Sequence, residues 1–368
     1  MIGRRRSRKI MVGGVPVGGA SPIPVQSMLN VRSSDAAAAI RQCEELRRAG
    51  AGILRLSVDT PADVKALAEI AAASPVPLVA DIQFERDAAI PALKAGAAAV
   101  RINPGLFPVG GAEFSALAAE VVKRGAAIRV GANAGSIGEA AIREAVRKGL
   151  SREAALAQLL AEKTLRQCEA LEKLGVYHIK AALKCSNVGV TVEANRIFAE
   201  RSELPIHIGV TEAGTLYRGV VKSACGIGAL LLSGIGDTIR VSLTGDPVEE
   251  VRAGIAILEA CGLRQAEPEI VSCPTCGRTE IDLEHLAREV EDLVARLKTA
   301  GKKLPFRKLA VMGCPVNGPG EARDADLGLA GTRSGGVILF RRGKVLGAYS
   351  SAEGLAKLEE LLSAPPEA

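Results

Sequence analysis

Eight times between Pro24 and Cys261, a short β-rich run is followed by a longer run of alanine, leucine and charged residues. No other feature of the 368-residue sequence restricts the fold as much. Strands are expected at Val25–Ser27, Ile53–Ser57, Leu78–Asp81, Ala99–Ile102, Ala127–Gly131, His178–Leu183, Ile206–Val210 and Thr238–Ser242. Helices are expected between them, among others at Asp35–Ala49, Pro61–Ala73, Arg86–Lys94, Glu113–Arg124, Asn187–Arg201 and Pro247–Ala260, with Ser34 and Thr60 placed as caps. Strand–helix units in unbroken succession require a parallel sheet with crossover helices. Eight of them fit a closed (β/α)8 TIM-type barrel better than an open doubly wound sheet, and such a barrel takes roughly 250 residues. The oversized connection Ser136–Gly175 holds a long amphipathic helix around Arg152–Lys173.

The polar stretch Arg264–Pro268 ends this pattern. The expected division is a barrel over residues 1–265 and a small α+β domain over 266–368. The second part carries a cysteine pair, a helix near Leu283–Thr299 and a strand around Lys308–Met312. A glycine-rich segment follows, then a hairpin of Gly335–Phe340 with Val345–Tyr349, and a last helix ending at Leu362. Apolar residues make up 48% of the chain, ample for two cores. No window approaches the roughly 18 apolar residues of a membrane span. Glycine and proline interrupt Val12–Pro24, so the basic start has no signal-type apolar stretch behind it, and a cytoplasmic protein is expected. Net charge is only +6, with three tyrosines, six phenylalanines and no tryptophan. That poverty of stacking surface argues against a nucleic-acid binder.

The active site of a barrel enzyme lies at the carboxyl ends of its strands. Read in turn, those ends carry Gln26, Arg55, Asp81, Arg101, Arg129 with Asn133, Lys184, Glu212, and Arg240 with Ser242. Five cations converging on one mouth call for an anion, and guanidinium forks match phosphate oxygens two at a time. Asp81 and Glu212 are of the type that orients hydroxyls or moves protons. His207 alternates with Ile206 and Ile208, which turns it toward the barrel interior.

Eight cysteines along a chain of this length do not read as a disulfide framework. Cys273-Pro-Thr-Cys276 is followed by Cys314 in Gly313-Cys314-Pro315-Val316-Asn317-Gly318-Pro319-Gly320-Glu321. A zinc ribbon would show a second cysteine pair, although His285 leaves a Cys3His zinc site open. A redox dithiol would leave Cys314 idle. In a 4Fe–4S cluster three cysteines leave one iron for another ligand, for which Glu321, seven residues after Cys314 and across a turn of Gly318, Pro319 and Gly320, is the candidate, and so leave a position for substrate chemistry. Cys43, Cys168, Cys225 and Cys261 read as small buried hydrophobes in helices. The glycine runs at 226–228 and 234–236 match no dinucleotide or P-loop pattern.

The segments Val25-Gln26-Ser27-Met28, Arg101-Ile102-Asn103-Pro104-Gly105, Ile128-Arg129-Val130-Gly131-Ala132-Asn133, Gly209-Val210-Thr211-Glu212-Ala213-Gly214 and Gly313–Glu321 together resemble the 4-hydroxy-3-methylbut-2-enyl diphosphate synthase family of the non-mevalonate isoprenoid pathway. The resemblance runs in order along nearly the whole chain. It implies two-electron reductive opening of 2-C-methyl-D-erythritol 2,4-cyclodiphosphate, with loss of water, at a 4Fe–4S cluster held by Cys273, Cys276, Cys314 and Glu321. Arg55, Asp81, Arg101, Arg129, Asn133, Lys184, His207, Arg240 and Ser242 would bind the substrate, with Glu212 and Glu321 catalytic. It further implies ferredoxin or flavodoxin as electron donor and a homodimer whose active site is shared between chains. Gln83 departs from the family, which usually has histidine there, as do Leu106–Gly110, Ala132, Ala134 and Cys185. A cluster-dependent hydro-lyase acting on a phosphorylated substrate, and a non-catalytic zinc protein, fit many of the same residues.

Overall fold

Each of the eight β-rich runs is a strand in the computed structural model of the chain, which describes residues 3–83, 85–265, 268–302, 304–315, 320 and 322–364. Contacts divide the chain into two compact units, Met1–Arg264 and Gln265–Ala368.

The first unit opens with an antiparallel hairpin that the alternation did not announce, β1 (Ile10–Val12) with β2 (Val15–Val17). Six parallel strands follow in sequence order: β3 (Gln26–Met28), β4 (Ile53–Ser57), β5 (Leu78–Asp81), β6 (Ala99–Ile102), β7 (Ala127–Asn133) and β8 (Ile179–Lys184). The two-residue strands β9 (His207–Ile208) and β10 (Thr238–Ile239) pair with each other. A bridge between Ala181 and Ile206 joins β8 to β9, and one between Val25 and Ile239 joins β10 back to the start of β3. Eight strands therefore follow one another round a closed ring. β9 and β10 are shorter than expected: Gly209, at φ +157, leaves the strand conformation directly after Ile208.

Helices α1 (Ala36–Arg48), α2 (Pro61–Ala73), α3 (Ala89–Lys94) and α4 (Ala112–Arg124) cover the first half of the ring. Two helices, α5 (Glu139–Arg147) and α6 (Arg152–Lys173), fill the long connection after β7. Then come α7 (Val188–Arg201), α8 (Leu216–Leu232) and α9 (Pro247–Ala260). Thr60 caps α2 in a reciprocal box with Asp63. Asp35, not Ser34, caps α1, because its carboxylate accepts the Ala38 N–H at 3.0 Å. The core between ring and helices takes Leu54, Leu56, Ala80, Val100, Ile102, Ile128, Val130, Ile179, Ala181 and Leu183 from the strands. Those are the alternate residues of each strand, so the others face the interior.

The second unit is a five-stranded mixed sheet in sequence order: β11 (Glu269–Ser272), β12 (Lys308–Met312), β13 (Leu327–Gly331), β14 (Val337–Arg341) and β15 (Lys344–Tyr349). The first three are parallel and the last two antiparallel. One face packs on α10 (Leu283–Thr299) and α11 (Ser351–Ser363) through Leu286, Val290, Leu293, Leu329, Val337, Leu339 and Leu358. β11 and β13 were not expected, each being only four or five residues long. Among the described residues no helix is long and apolar enough to cross a membrane.

Candidate active site

The interior of the ring is stratified. Its floor is apolar: Ile53, Val79, Ala99 and Ala127 pack against Ile10, Val12 and Val17 of the β1–β2 hairpin, which closes the barrel from below. Above the floor lie Gln26, Arg55, Asp81, Arg101, Arg129, Lys180, His207 and Thr238, all buried. Lys184, Arg240 and Asn133 stand nearer the mouth, Lys184 buried and the other two half-buried. Six basic side chains among these residues face two carboxylates among the described residues, Asp81 and Glu250 of α9.

Both carboxylates are already engaged. Asp81 Oδ1 accepts Arg101 Nη1 at 3.0 Å, while Oδ2 faces Arg55 Nε at 3.6 Å and accepts Gln83 Nε2 at 3.2 Å. Burial pushes this carboxyl up, but Arg55, Arg101 and Arg129 outweigh it and hold it below the ordinary aspartate range. Glu250 takes Arg240 Nη2 at 3.1 Å, the Ser27 hydroxyl at 3.1 Å and the Leu243 N–H at 3.0 Å. Arg101 also donates to the Gly131 carbonyl at 3.2 Å. A Cβ at residue 131 would stand 2.6 Å from Arg101 Nε, so glycine there is what lets the guanidinium lie across β7.

Arg129 has no such partner: Nε and Nη1 are buried without an acceptor among the described residues. Arg101 Nε, Gln26 Nε2 and His207 Nε2 are in the same state. His207 Nδ1 meets Thr238 Oγ1 at 2.6 Å, and Lys180 Nζ reaches across the ring to Gln26 Oε1 at 3.4 Å. Burial first, with cationic neighbours behind it (for Arg55 against the opposing pull of Asp81), moves each base toward its neutral form. Arg129 and Lys184 fall well below their ordinary values, Arg55 to about 10 and Lys180 to about 7. His207 is likewise held well below the ordinary imidazole range by burial and by Lys184, and so is uncharged at neutral pH. Buried polar nitrogens without hydrogen-bond partners are uncommon in folded proteins, and several gathered in one barrel interior among arginines mark the place of an anionic ligand.

At the rim the Ser136 hydroxyl lies 2.9 Å from Asn103 Oδ1 and 3.0 Å from Asn133 Oδ1, tying the loops after β6 and β7. Glu212 is exposed and held at φ +53, a left-handed conformation that costs a non-glycine residue about 1–2 kcal/mol. Ser242 is half-buried two residues beyond Arg240. The ring thus gathers Arg55, Asp81, Arg101, Arg129, Lys184, His207 and Arg240. Lys180 and Glu250 were not foreseen. Lys180 was legible, since it shares the inward face of β8 with Lys184 at a spacing of four. Glu250 carried no local signal, because it comes from a helix that the fold brings beneath Arg240.

In the second unit Cys273 directly follows β11 and Cys314 stands two residues past β12, its parallel neighbour. The Gly313 N–H donates to Cys273 Sγ at 3.2 Å, and the Glu280 N–H to the Gly313 carbonyl at 2.9 Å. The Cys276 N–H is bound by Thr279 Oγ1 at 3.1 Å. These bonds stitch the loop of Cys273 and Cys276 to the segment that bears Cys314. Among the described residues, no three Cys, His, Asp or Glu side chains stand close enough to share one metal ion. Glu321 lies outside the described residues. His285 is exposed and faces Glu289 on its own helix at 3.7 Å. Of the cysteines read as buried, Cys43 and Cys168 are so, whereas Cys225 is exposed on the outer side of α8 and Cys261 is half-buried at the end of α9. The helical pattern located α8 too loosely to say which face Cys225 would take.

The GcpE TIM-barrel domain family matches residues 7–255, and the GcpE C-terminal domain family matches residues 269–364. The chain is 45% identical to the 4-hydroxy-3-methylbut-2-en-1-yl diphosphate synthase (flavodoxin) of Maridesulfovibrio salexigens, over 96% of this chain and 95% of that one. It is 44% identical to the protein of the same name from Aquifex aeolicus, over 97% and 96% of the two chains. It is also 43% identical to the one from Geobacter sulfurreducens, over 98% and 99%. These matches take in barrel and C-terminal unit together, and on that ground the chain belongs to the GcpE family of 4-hydroxy-3-methylbut-2-en-1-yl diphosphate synthases.

Proposed function

We propose that the barrel interior binds the diphosphate of 2-C-methyl-D-erythritol 2,4-cyclodiphosphate and that the second unit brings a 4Fe–4S cluster to it. The enzyme is an oxidoreductase that converts this substrate into 4-hydroxy-3-methylbut-2-enyl diphosphate: two electrons and a proton enter, one carbon–oxygen bond breaks at each of two adjacent carbons, releasing the ring end of the diphosphate and, as water, a hydroxyl, and a double bond forms between those carbons. One observation carries the assignment of the site, namely buried guanidinium, amide and imidazole nitrogens without hydrogen-bond partners inside a ring that, among the described residues, sets six basic side chains against two carboxylates.

In this reading Arg129, Arg101, Lys184 and Arg55 neutralise the phosphates, and Asp81 keeps Arg55 and Arg101 aimed at them. Arg240, steadied by Glu250, and the rim residues Asn133 and Ser242 complete the grip. His207, uncharged and fixed by Thr238, has Nε2 open toward the ligand. Glu212 stands on the rim as a carboxylate that can move a proton at the reacting carbon. Gln83, donating to Asp81, takes the position where the family usually has histidine.

The donor set fits the cluster: three thiols from adjoining strand ends, with an N–H···S bond to Cys273 of the kind that tunes such centres. Cys273, Cys276 and Cys314 would hold it, with Glu321 at the remaining iron. Bound there, the cluster supplies electrons one at a time and an iron open to substrate oxygen. Flavodoxin, as in the names of the relatives, is the proposed donor, and a homodimer with the site shared between chains the proposed assembly.

Anaerobically purified protein should contain iron and sulfide and turn over only with a reductant. Colourless protein containing zinc, or turnover without reductant, would overturn the reading. Mixing an Arg129→Met protein with a Cys276→Ala protein tests the sharing: mixed dimers regain activity only if barrel and cysteines come from different chains.

A further inference from the structure

Lys180 lies four residues before Lys184 on β8, about 13 Å down the strand at ~3.3 Å per residue, and is fully buried. The small Ala182 separates the two lysines on the same inward face. The hydrogen-bond partner of Lys180 is Gln26 Oε1, and no carboxylate comes within ion-pair distance of it among the described residues. Every strand of the ring turns a polar group toward this interior. These are Gln26 from β3, Arg55 from β4, Asp81 from β5, Arg101 from β6, Arg129 from β7, Lys184 from β8 itself, His207 from β9, and Arg240 just past β10. Asp81 and Glu250 are the carboxylates, and both are committed to arginines.

An ammonium enclosed by arginines is costlier than a neutral amine. Burial, with Arg129 and Arg55 behind it, brings Lys180 to about 7, so at pH 8 about one-tenth of the ligand-free protein carries the proton. A diphosphate entering above reverses the local field. Gln26 suits both states, since its amide can present oxygen to an ammonium or the unpartnered Nε2 to an amine.

We propose that Lys180 belongs to the anion site and takes up a proton when the site fills, as an amine against Gln26 in the empty barrel and an ammonium beneath the phosphates in the occupied one. The proposal rests on the diphosphate reading above. It gives Lys180 a positioning role: charge appears at the bottom of the site only when there is an anion to meet it.

The test uses oxidised holoenzyme without reductant, so that the cyclic diphosphate binds and does not react. Each of its phosphates carries one strongly acidic oxygen, so the ligand itself exchanges no proton near pH 8. Calorimetry at pH 8 in buffers of different ionisation enthalpy counts the protons taken up. The wild type should take up at least about 0.9 proton, and Lys180→Met about one fewer, with Lys184 contributing alike to both. Lys180→Arg, charged at all times, should bind without that uptake. Affinity gives a further readout: above pH 7 it should fall up to about tenfold per pH unit more steeply in the wild type than in Lys180→Met. Equal uptake in wild type and Lys180→Met, or affinities that change alike in the two between pH 7 and 9, would overturn the proposal while leaving the diphosphate site standing. Failure of the ligand to bind at all would overturn both.

Discussion

Arg129→Met separates binding from stability in a way that few core substitutions can. The guanidinium is 3% exposed, lacks acceptors for two of its nitrogens and sits among Arg55, Arg101 and Arg240, with Asp81 the opposing charge. Replacing buried charge by an apolar side chain of similar volume is often neutral or stabilising by about 1–4 kcal/mol even when the charge was paired, and this one has no ion pair. The ligand-free variant should therefore melt higher, by about 2–4 °C for each kcal/mol gained. Binding should move the other way. Charged hydrogen bonds to phosphate contribute about 1.5–3 kcal/mol each, so loss of the Arg129 contacts should weaken the cyclic diphosphate about hundredfold. Thermal unfolding of holoenzyme with and without ligand reads both effects at once. The expected pattern is a raised baseline melting temperature and a lost ligand-induced shift. A destabilisation of about 2–5 kcal/mol, as for an ordinary core truncation, would refute the argument that Arg129 stands uncompensated.

Four further outcomes follow from the same geometry. Asp81→Asn removes the carboxylate between Arg55 and Arg101 and should destabilise by about 3–5 kcal/mol, seen as a lower denaturation midpoint that ligand partly restores. In the ligand-free protein Lys180 titrates near 7 folded and near 10.4 unfolded. Stability should thus rise from pH 7 toward 10 by up to about 1.4 kcal/mol per unit, less steeply in Lys180→Met, as urea unfolding at pH 7, 8 and 9 will report. Glu212→Gly relieves a left-handed residue and should gain about 1 kcal/mol while losing turnover, with substrate affinity little changed. Gly131→Ala forces Arg101 aside and should raise KM with the cluster spectrum unaltered; an unchanged KM would show that Arg101 does not need its place across β7.

How much of this was written in the chain differs between its parts. The β4, β5 and β6 runs and helices α2, α6 and α9 could be bounded to the residue, because apolar periodicity changes sharply there and proline, serine or threonine marks the helix starts. The β1–β2 hairpin, β11 and β13 could not, since strands of three to five residues carry too little pattern. Reading only the last residue of each strand also hid Lys180, one inward step below Ala182.

Alternation along each strand, a property of adjacent residues, determined which side chains face inward: Arg101 and not Val100, Arg129 and not Ile128, His207 and not Ile208. Ring closure alone decided that residues as far apart as Gln26 and Arg240 share one enclosed volume. Whether their charges balance is likewise a question of distance through space. The fold sets Asp81 between two arginines and lays Glu250 under a third, so that Arg129 and the two lysines are left facing an interior that only an anion can complete.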